Sequence, residues 1–394
     1  PSVTGNEHDV QQAIARQMND LALDIDMWEP DAAALAPYAE HVGEFESFAG
    51  RPNVVGTRRG RGGGRSMILN AHIDTVEAGD PAQWSVDPFL GALRAGRIYG
   101  RGACDMKAGL VGELMALRAL DELGVTLNGD VFVESVISEE DGGAGALATI
   151  LRGYTADAAI ITEPTNLAII AAQGGSLVFR LTITGRSAHA CVRDEGVSAL
   201  EKFLPIHAAI LAHERAHHEA IDHPLYQRFG NRAPINIGTV RAGNWPSSVP
   251  ESIVVEGRAG LVPGETLEET KAALLATIEE AVAGDPWFAA HPPQIEWFSG
   301  QFTAAETSTD DPLTHALQEA HAGVTGQRAV IDAATYGADM RHFVNIGRIP
   351  CLMYGAGDVA LAHRPDEFVP ISEVKTVAKT LAVTLARWCG VNHI

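Results

Sequence analysis

The stretch MILNAHIDTV, residues 67–76, places an apolar strand immediately before His72 and Asp74. Outward from it, short apolar runs alternate with segments whose apolar residues recur at helical spacing. In chain order we predict a strand at Met67–Ala71, a helix at Met106–Leu123, a strand at Val131–Ile137, a helix at Ala144–Arg152 and a strand at Ala158–Thr162. This alternation predicts an α/β fold with a mostly parallel central sheet flanked by helices.

The pattern changes near Ser176. From there we predict a small α+β sandwich, with strands at 177–184, 234–240, 252–261 and 294–298 and helices at 197–220 and 267–283. Strand–helix alternation resumes after Gln301, and a chain of 394 residues is too long for one ordinary core. We therefore predict a catalytic domain in two parts, residues 1–176 and 299–394, interrupted by an inserted domain at residues 177–298.

The loop RGRGGGR, residues 59–65, is rich in glycine and arginine. A phosphate-binding loop would continue into Lys-Ser/Thr and a helix, and this loop does not. We predict a solvent-facing hairpin tip.

The charge balance limits the partners. The chain has 29 basic and 50 acidic residues, a formal charge of −21. Such a charge disfavours nucleic acid and anionic membrane surfaces. A substrate carboxylate would need local arginines.

The four cysteines, at positions 104, 191, 351 and 389, are scattered and form no C-x-x-C pair. This spacing is typical of reduced thiols, and with no apolar run long enough to span a bilayer it predicts a cytoplasmic protein. Cys104 precedes a candidate metal ligand. No histidine motif is paired with it, which favours a packed residue over a nucleophile.

The motif NAHIDTV, residues 70–76, ends the first strand. His72 and Asp74 are two apart on extended chain, so both side chains point to one face. His72 can bind a metal through one ring nitrogen while Asp74 accepts the N–H of the other, which would set the tautomer. The alternative is a polar strand end with a hydrogen-bonded core histidine.

Asp105 lies in GRGACDMKAGL, residues 100–110, before the predicted helix. A helix N-cap would explain an aspartate there. Because a carboxylate has two oxygens, Asp105 could instead bridge two cations.

Adjacent carboxylates at Glu139 and Glu140 end the next strand, in SEEDGG. They repel one another unless a cation or proton separates them. One can bind metal while the other abstracts a proton from water; a solvated acidic loop is the alternative.

Glu163, in ITEPT, follows a run of apolar residues that we expect to be buried. His363, in AHRPDE, lies in a glycine-rich turn. Strand ends are where open α/β sheets place their sites. Two histidines and several carboxylates form a nitrogen and oxygen ligand set suited to zinc, with cobalt or manganese as alternatives.

These motifs resemble, in order and spacing, the co-catalytic zinc family of acetylornithine deacetylase and succinyl-diaminopimelate desuccinylase, which includes aminoacylases and glutamate carboxypeptidases. The resemblance extends over nearly the whole chain, including GRSAHA at residues 185–190. It implies a zinc-exopeptidase-like fold and two divalent metal ions. One metal would be held by His72 and Glu163 and the other by Glu140 and His363, with Asp105 bridging.

The resemblance also implies roles around the metals. Asp74 would orient His72, and Glu139 would be the general base. The inserted domain would act as a lid and as the surface of a homodimer, with His189 stabilising the oxyanion. The substrate would be a small N-acyl compound with a carboxylate.

Arg258 and Arg341 match family positions that hold the substrate carboxylate, and Asn236 in PINIG is a further candidate contact. The chain departs from the family in having SSVP, residues 247–250, where an asparagine-containing stretch is usual. That departure concerns substrate identity rather than metal chemistry.

The expected activity is metal-assisted cleavage of an amide bond in a small N-acyl amino acid or related N-acylated amine. A carboxypeptidase or dipeptidase would use the same metals and arginines, and hydrolysis or deamination at another C–N bond is also compatible. A metal-stabilised binding protein would not need the Glu139–Glu140 pair. A structural calcium site would not use His72 and His363, because calcium prefers oxygen ligands.

Overall fold

The computed structural model describes residues 1–391 and divides into two compact units. The larger unit comprises Pro1–Ala172, Ala305–Ala333 and the chain from Ala338 onward. The smaller unit comprises Gln173–Ala304 and Ala334–Gly337, and the sequence-predicted insert at 177–298 falls within it.

The strands of the described chain are β1 (Asp24–Trp28), β2 (Asn53–Arg58), β3 (Met67–His72), β4 (Ala92–Arg94), β5 (Arg97–Tyr99), β6 (Val131–Val136), β7 (Ala159–Ile161), β8 (Ile169–Gln173), β9 (Gly175–Thr184), β10 (Ile235–Ala242), β11 (Ser252–Leu261), β12 (Gln294–Trp297), β13 (Ala305–Glu306), β14 (Ile331–Ala334), β15 (Cys351–Met353) and β16 (Phe368–Pro370).

The α-helices are α1 (His8–Asp20), α2 (Ala32–Leu35), α3 (Ala39–Val42), α4 (Ala108–Glu122), α5 (Ala144–Arg152), α6 (Ala199–Ala220), α7 (Leu267–Val282), α8 (Pro286–Ala290), α9 (Pro312–Thr325) and α10 (Ile371–Trp388). No helix in residues 1–391 combines the length and apolar character needed to cross a membrane.

The larger unit is built on a mixed sheet with the order β1-β2-β6-β3-β7-β15-β8-β13, and β14 pairs with β8. Its centre is parallel: β3 pairs in parallel with β6 and β7, and β7 with β15. The strands β3, β7 and β15 are buried along their whole length, as a parallel centre requires, and α4 and α5 pack on β6. The predicted α/β class is confirmed.

The loop at residues 59–65 is largely exposed to solvent, as predicted, but it is not the tip of a hairpin. Strand β6 lies between β2 and β3, so the loop crosses the end of the sheet instead of closing a hairpin. A Cβ at Gly60 would lie 2.2 Å from the carbonyl oxygen of Asn128, and one at Gly64 would lie 1.9 Å from that of Cys389. A side chain at either position would clash with the main chain of a neighbouring segment. These two glycines therefore allow the backbone segments to pack closely.

A small sheet of order β16-β5-β4 was not predicted. Each of its strands has three residues, too few for periodicity to reveal. Its register pairs Phe368 with Tyr99, which brings the chain just after His363 beside the loop that leads to Asp105.

The smaller unit contains an antiparallel sheet of order β10-β11-β9-β12, packed with α6 and α7 around one apolar core. Leu177, Phe179, Leu181 and Ile183 alternate along β9 and are buried, while the residues between them are less so. Ser198 caps α6, and a Thr266–Glu269 capping box begins α7.

Glu134 is a fully buried carboxyl in the middle of β6. It accepts hydrogen bonds from Asn70 Nδ2 and Thr149 Oγ1, both at 3.0 Å. Burial raises the pKa of Glu134 to about 7, against these two hydrogen bonds, which act to lower it. Its Oε1 has no hydrogen-bond partner within the described residues, which suits a protonated acid.

We expect Glu134→Gln to become relatively more stable than the parent protein as the pH rises. The folded state retains the Glu134 proton up to about pH 7, whereas an unfolded glutamate loses it near 4.5. The stability contributed by that proton is therefore complete below pH 4.5 and lost as the pH rises through about 7. At about 1.4 kcal/mol per pKa unit the relative change is on the order of 3 kcal/mol, measurable by urea unfolding at pH 4.5 and 8.

Glu122→Gln, at an exposed carboxyl, serves as the control. The Glu134→Gln difference is compared with that of this control at each pH. A Glu134→Gln difference that stayed constant from pH 4.5 to 8 would show that Glu134 does not retain its proton in the folded state.

Candidate metal centre

The parallel centre of the sheet places three sequence motifs at one edge. Strands β6, β3 and β7 are neighbours, and they end just before Glu139, at His72 and just before Glu163, respectively. The carboxyl ends of parallel strands share an edge, so these side chains meet although they are far apart in the chain.

Asp105 reaches the same edge from a separate turn. The N-cap interpretation of Asp105 is wrong: α4 begins at Ala108, and Lys107 occupies the cap position. Asp105 itself has an extended backbone (φ −114°, ψ 98°) in the turn Ala103–Lys107. Glu367 draws this turn away from the helix, because its Oε1 accepts from the amides of Cys104 (2.8 Å) and Asp105 (3.1 Å). The Asp105 carboxylate is thereby directed at the histidines.

Asp105 lies between the two histidines. Its Oδ1 is 3.0 Å from His72 Nε2, and its Oδ2 is 3.4 Å from His363 Nε2. His363 Nε2 is also 2.9 Å from Glu140 Oε2, and His72 Nε2 is 3.9 Å from Glu163 Oε1. The five sequence-predicted ligands therefore form one group, which we call the central cluster.

These spacings fit a pair of metal ions. Two ligand atoms that each lie about 2.0–2.1 Å from one tetrahedral zinc are roughly 3.3 Å apart. The separations of 3.0 and 3.4 Å between Asp105 and the two histidines, and of 2.9 Å between Glu140 and His363, are close to that value. The ligand atoms of His72, Asp105 and Glu140 lie within 4.8 Å of one another, as do those of His72, Glu139 and Glu163.

The electrostatics of the central cluster favour cations. Burial acts to lower the pKa of His72, but the carboxylates around it outweigh this and raise that pKa well above its usual value. Hydrogen bonds to Asp105 and Glu140 raise the pKa of His363 to about 10. Burial, reinforced by neighbouring carboxylates, raises the pKa of Glu163 well above normal. A field that stabilises imidazolium in this way would also stabilise a divalent cation.

Glu139 is half-buried in the turn that follows β6. Burial raises the pKa of its carboxyl well above normal, with Asp339, Glu163 and Glu140 adding to the effect and His72 opposing it. It belongs to one of the ligand groups around His72, so distance alone gives it the reach of either a ligand or a base.

Asp74 contacts His72 mainly through its main chain. His72 Nδ1 is 3.0 Å from the carbonyl oxygen of Asp74, whereas Asp74 Oδ1 is 3.6 Å away, too far for a good hydrogen bond. The carboxylate instead accepts from the amides of Glu139 and Glu140, both at 3.2 Å, and from Thr4 Oγ1 at 2.9 Å. Asp74 thus holds the turn that carries Glu139 and Glu140, and it also contacts the ring of His72.

Three predicted site residues belong to the smaller unit. His189 is exposed, and its Nδ1 accepts from the amide of Cys191 at 3.2 Å, so a neutral His189 has its proton on Nε2. Arg258 and Asn236 are opposite one another on β11 and β10. Burial alone lowers the pKa of Arg258, and Asn236 is exposed.

Arg341 is 2% exposed. Its Nη1 donates to the carbonyl of Ala338 at 2.6 Å and its Nη2 to that of Gly142 at 2.7 Å. The structure therefore presents a guanidinium engaged with the main chain, not the open cation that the sequence-based assignment required.

Sequence reasoning missed Glu367 as an anchor. It is 1% exposed and forms an ion pair with the buried Arg101 at 2.5 Å, in addition to holding the Asp105 turn. The only available signal was its position four residues after His363 in AHRPDE. Cys104, beside this anchor, is buried, and burial raises the pKa of its thiol well above normal, which agrees with a packed residue.

The chain is similar to known proteins over nearly all its length. The family described as Peptidase family M20/M25/M40 matches residues 68–387. An N-formyl-4-amino-5-aminomethyl-2-methylpyrimidine deformylase from Bacillus subtilis (strain 168) is 28% identical over 405 aligned residues, covering 98% of this chain and 90% of the relative. Acetylornithine deacetylase from Myxococcus xanthus is 26% identical, covering 86% and 84%.

Among solved structures, aminopeptidase PepT from Bacillus cereus ATCC 10987 superimposes with a TM-score of 0.74 at 21% identity, covering 99% of this chain and 95% of that one. At this identity the likeness shows a common fold.

We expect Glu367→Gln to weaken both folding and metal binding. The change leaves Arg101 as a buried charge without its counter-ion, which costs about 3–5 kcal/mol. A neutral amide oxygen accepts more weakly than a carboxylate from the amides of Cys104 and Asp105, so zinc affinity should fall about 10–100-fold, measured by competition with a chromogenic chelator.

Asp121→Asn is the matched control. It removes an ion pair with Arg58 in which Asp121 is 45% exposed, so the expected loss is below about 1 kcal/mol, with zinc affinity unchanged. Unaltered zinc affinity in Glu367→Gln would disprove the anchoring role.

Proposed function

The chain belongs to Peptidase family M20/M25/M40, and on that premise we propose that it is a two-metal hydrolase that removes the acyl group from a small N-acylated amine or amino acid. One observation carries this proposal: the Asp105 carboxylate lies between His72 and His363, with Glu139 beside them. Such an arrangement suits a hydrolysis in which the substrate carbonyl is polarised and a water molecule loses a proton.

Among the reactions of the relatives, we propose cleavage of an N-acyl group for this chain. It is supported by relatives named as a deformylase and as acetylornithine deacetylase, the former aligned over 98% of this chain. A peptidase or dipeptidase remains the second candidate in the same site, since it would need the same ligands.

We propose zinc as the metal, with cobalt or manganese as alternatives, because the ligand set mixes imidazole with carboxylate. His72, Asp105 and Glu163 would hold one ion, and His363, Asp105 and Glu140 the other. When bound, such ions polarise the substrate carbonyl and lower the pKa of water toward neutrality.

Glu139 is proposed as the general base. Its carboxylate would accept a proton from the attacking water and deliver that proton to the leaving nitrogen as the C–N bond breaks. The role is supported by the position of the half-buried Glu139 beside His72 and Glu163, and by the two main-chain bonds that Asp74 accepts from residues 139 and 140.

His189 is proposed to donate its Nε2–H to the oxyanion, which is where such donors contribute most. Support comes from the amide of Cys191, which occupies Nδ1 and leaves the proton on Nε2. A substrate carboxylate, where present, would be bound by Arg258, with Asn236 as its cross-strand neighbour.

We also propose a homodimer formed through the smaller unit. On α6, Leu200, Leu204 and Leu211 are 41%, 56% and 37% exposed and share one stripe at spacings of four and seven. Strand β10, next to which α6 packs, is an edge strand, and its Val240 is 52% exposed. An apolar stripe beside an open edge suits a second copy of the chain. A cytoplasmic location is proposed as well, supported by four cysteines without disulfides.

Purified protein loaded with zinc, cobalt or manganese should release amine from an N-formyl, N-acetyl or N-succinyl substrate faster than from dipeptides. Glu139→Ala should retain its metal and lose turnover at least about a hundredfold, because only the proton-transfer group is removed. Amine release and metal content are the measurements.

Glu140→Ala, one residue along the same turn, is the matched comparison and should lose metal together with activity. Equal metal loss in both variants would make Glu139 a ligand. Cleavage of dipeptides alone would favour the peptidase, and hydrolysis of no amide with any metal would refute the proposed function.

Leu204→Glu should convert the dimer to a monomer in sedimentation velocity, since the charge would have to be buried against its own copy. Leu123→Glu, at a 77% exposed site of the larger unit, should leave the dimer intact. If the parent protein sediments as a monomer, the proposed homodimer is refuted.

A further inference from the structure

Three buried side chains converge on one glycine beside the central cluster. Asp339, Arg341 and His342 are 1%, 2% and 1% exposed. A Cβ placed on Gly143 would lie 2.3 Å from Asp339 Oδ1, 2.6 Å from His342 Nε2 and 2.9 Å from Arg341 Nη2. A side chain at position 143 would therefore clash with all three groups, and the positive φ of Gly143 (78°) also favours glycine there.

Arg341 joins this group to the turn that carries the acidic pair. Its Nη2 donates to the carbonyl of Gly142 at 2.7 Å, and its Nη1 donates to that of Ala338 at 2.6 Å. The guanidinium thus links two main-chain segments that are about two hundred residues apart in the chain. Bonds from a charged donor are roughly twice as strong as neutral ones, and the planar fork restricts the geometry of both.

The turn itself is short and closed. The amide of Gly142 donates to the carbonyl of Glu139 at 3.1 Å, and that of Gly143 donates to the carbonyl of Ser138 at 2.6 Å. Asp74 holds the beginning of this turn through the amides of Glu139 and Glu140. Arg341 holds its end, so the acidic pair is restrained from both sides.

The surroundings of Arg341 do not suit a substrate carboxylate. At 2% exposure the guanidinium has little surface for a ligand, and Asp339 lies beside it as a counter-charge. Burial lowers the pKa of Arg341 to about 10, so the group remains a cation at neutral pH. It can donate strongly to the main chain without being open to solvent.

We propose that Arg341 is a positioning residue, which holds the Glu139–Glu140 turn through the carbonyl of Gly142 and does not bind the substrate carboxylate. The inference rests on the proposed function, in which this turn carries the general base, Glu139, and a metal ligand, Glu140. It reassigns a residue that sequence resemblance placed on the substrate.

Two substitutions and two substrates test the proposal. Arg341→Lys and Arg341→Met are compared, as zinc-loaded full-length protein, on an N-acetyl amino acid and on the corresponding N-acetyl amine without the carboxylate. We expect kcat to fall by the same factor for both substrates, on the order of a hundredfold in Arg341→Met, with KM nearly unchanged, because a displaced base slows chemistry without affecting binding. Arg341→Lys should recover part of the loss, since its ammonium can still donate to one carbonyl.

A change in KM for one substrate, in place of an equal fall in kcat for both, would overturn the proposal. If KM rose tenfold or more for the carboxylate substrate alone, Arg341 would be a substrate ligand. Arg348→Met, an exposed arginine seven residues further on, is the matched control and should leave both constants unchanged. Should Arg341→Met fail to fold, Arg341→Lys decides by the same criterion.

Hydrogen exchange separates this inference from the proposed function. The amides of Gly142 and Gly143 should exchange on the order of tenfold faster in Arg341→Lys than in the parent protein, whichever substrate is hydrolysed. If the parent protein hydrolyses no amide, the proposed function fails while this measurement still tests the positioning role. Unchanged exchange at both glycines would refute it.

Discussion

The concentration of buried and half-buried carboxylates at one sheet edge is the constraint on which the rest of the site depends. Asp105, Glu139, Glu140 and Glu163 approach one another closely enough that burial and mutual repulsion raise the pKa of Glu139 and Glu163. Charge of one sign in a poorly solvated place is costly unless cations offset it. The two imidazoles supply some of that compensation, and divalent metal ions would supply more.

Around the central cluster, three polar side chains form hydrogen bonds to the main chain of the loops that carry the proposed ligands, rather than to the ligand side chains. Glu367 accepts from the amides of the Asp105 turn, Asp74 accepts from those of residues 139 and 140, and Arg341 donates to the carbonyl of Gly142. Each is buried, so each bond forms where little water competes. Loops that would otherwise be free to move are thereby given the rigidity a two-ion site needs.

The residues proposed from the sequence as ligands lie close together because they follow strands whose apolar character is plain, as at His72 and Glu163. The sequence predicted Asp105 as a ligand but not its backbone, since the neighbouring anchor, Glu367, lies 262 residues away. The β4–β5–β16 sheet was missed because three-residue strands show no period. Arg341 was identified by resemblance, yet its orientation follows from the carbonyl of Gly142 and the space left by Gly143, which no local pattern encodes.

The pairing of β16 with β5 has a consequence for biosynthesis. His363 and Glu367 leave the ribosome long after His72 and Asp105, by on the order of tens of seconds at usual elongation rates. Until then the nascent chain exposes an incomplete set of ligands, which can hold a metal ion only weakly. The cluster is therefore assembled only after residue 367 has been made, and a chain terminated before residue 363 would have neither the second imidazole nor the anchor of the Asp105 turn.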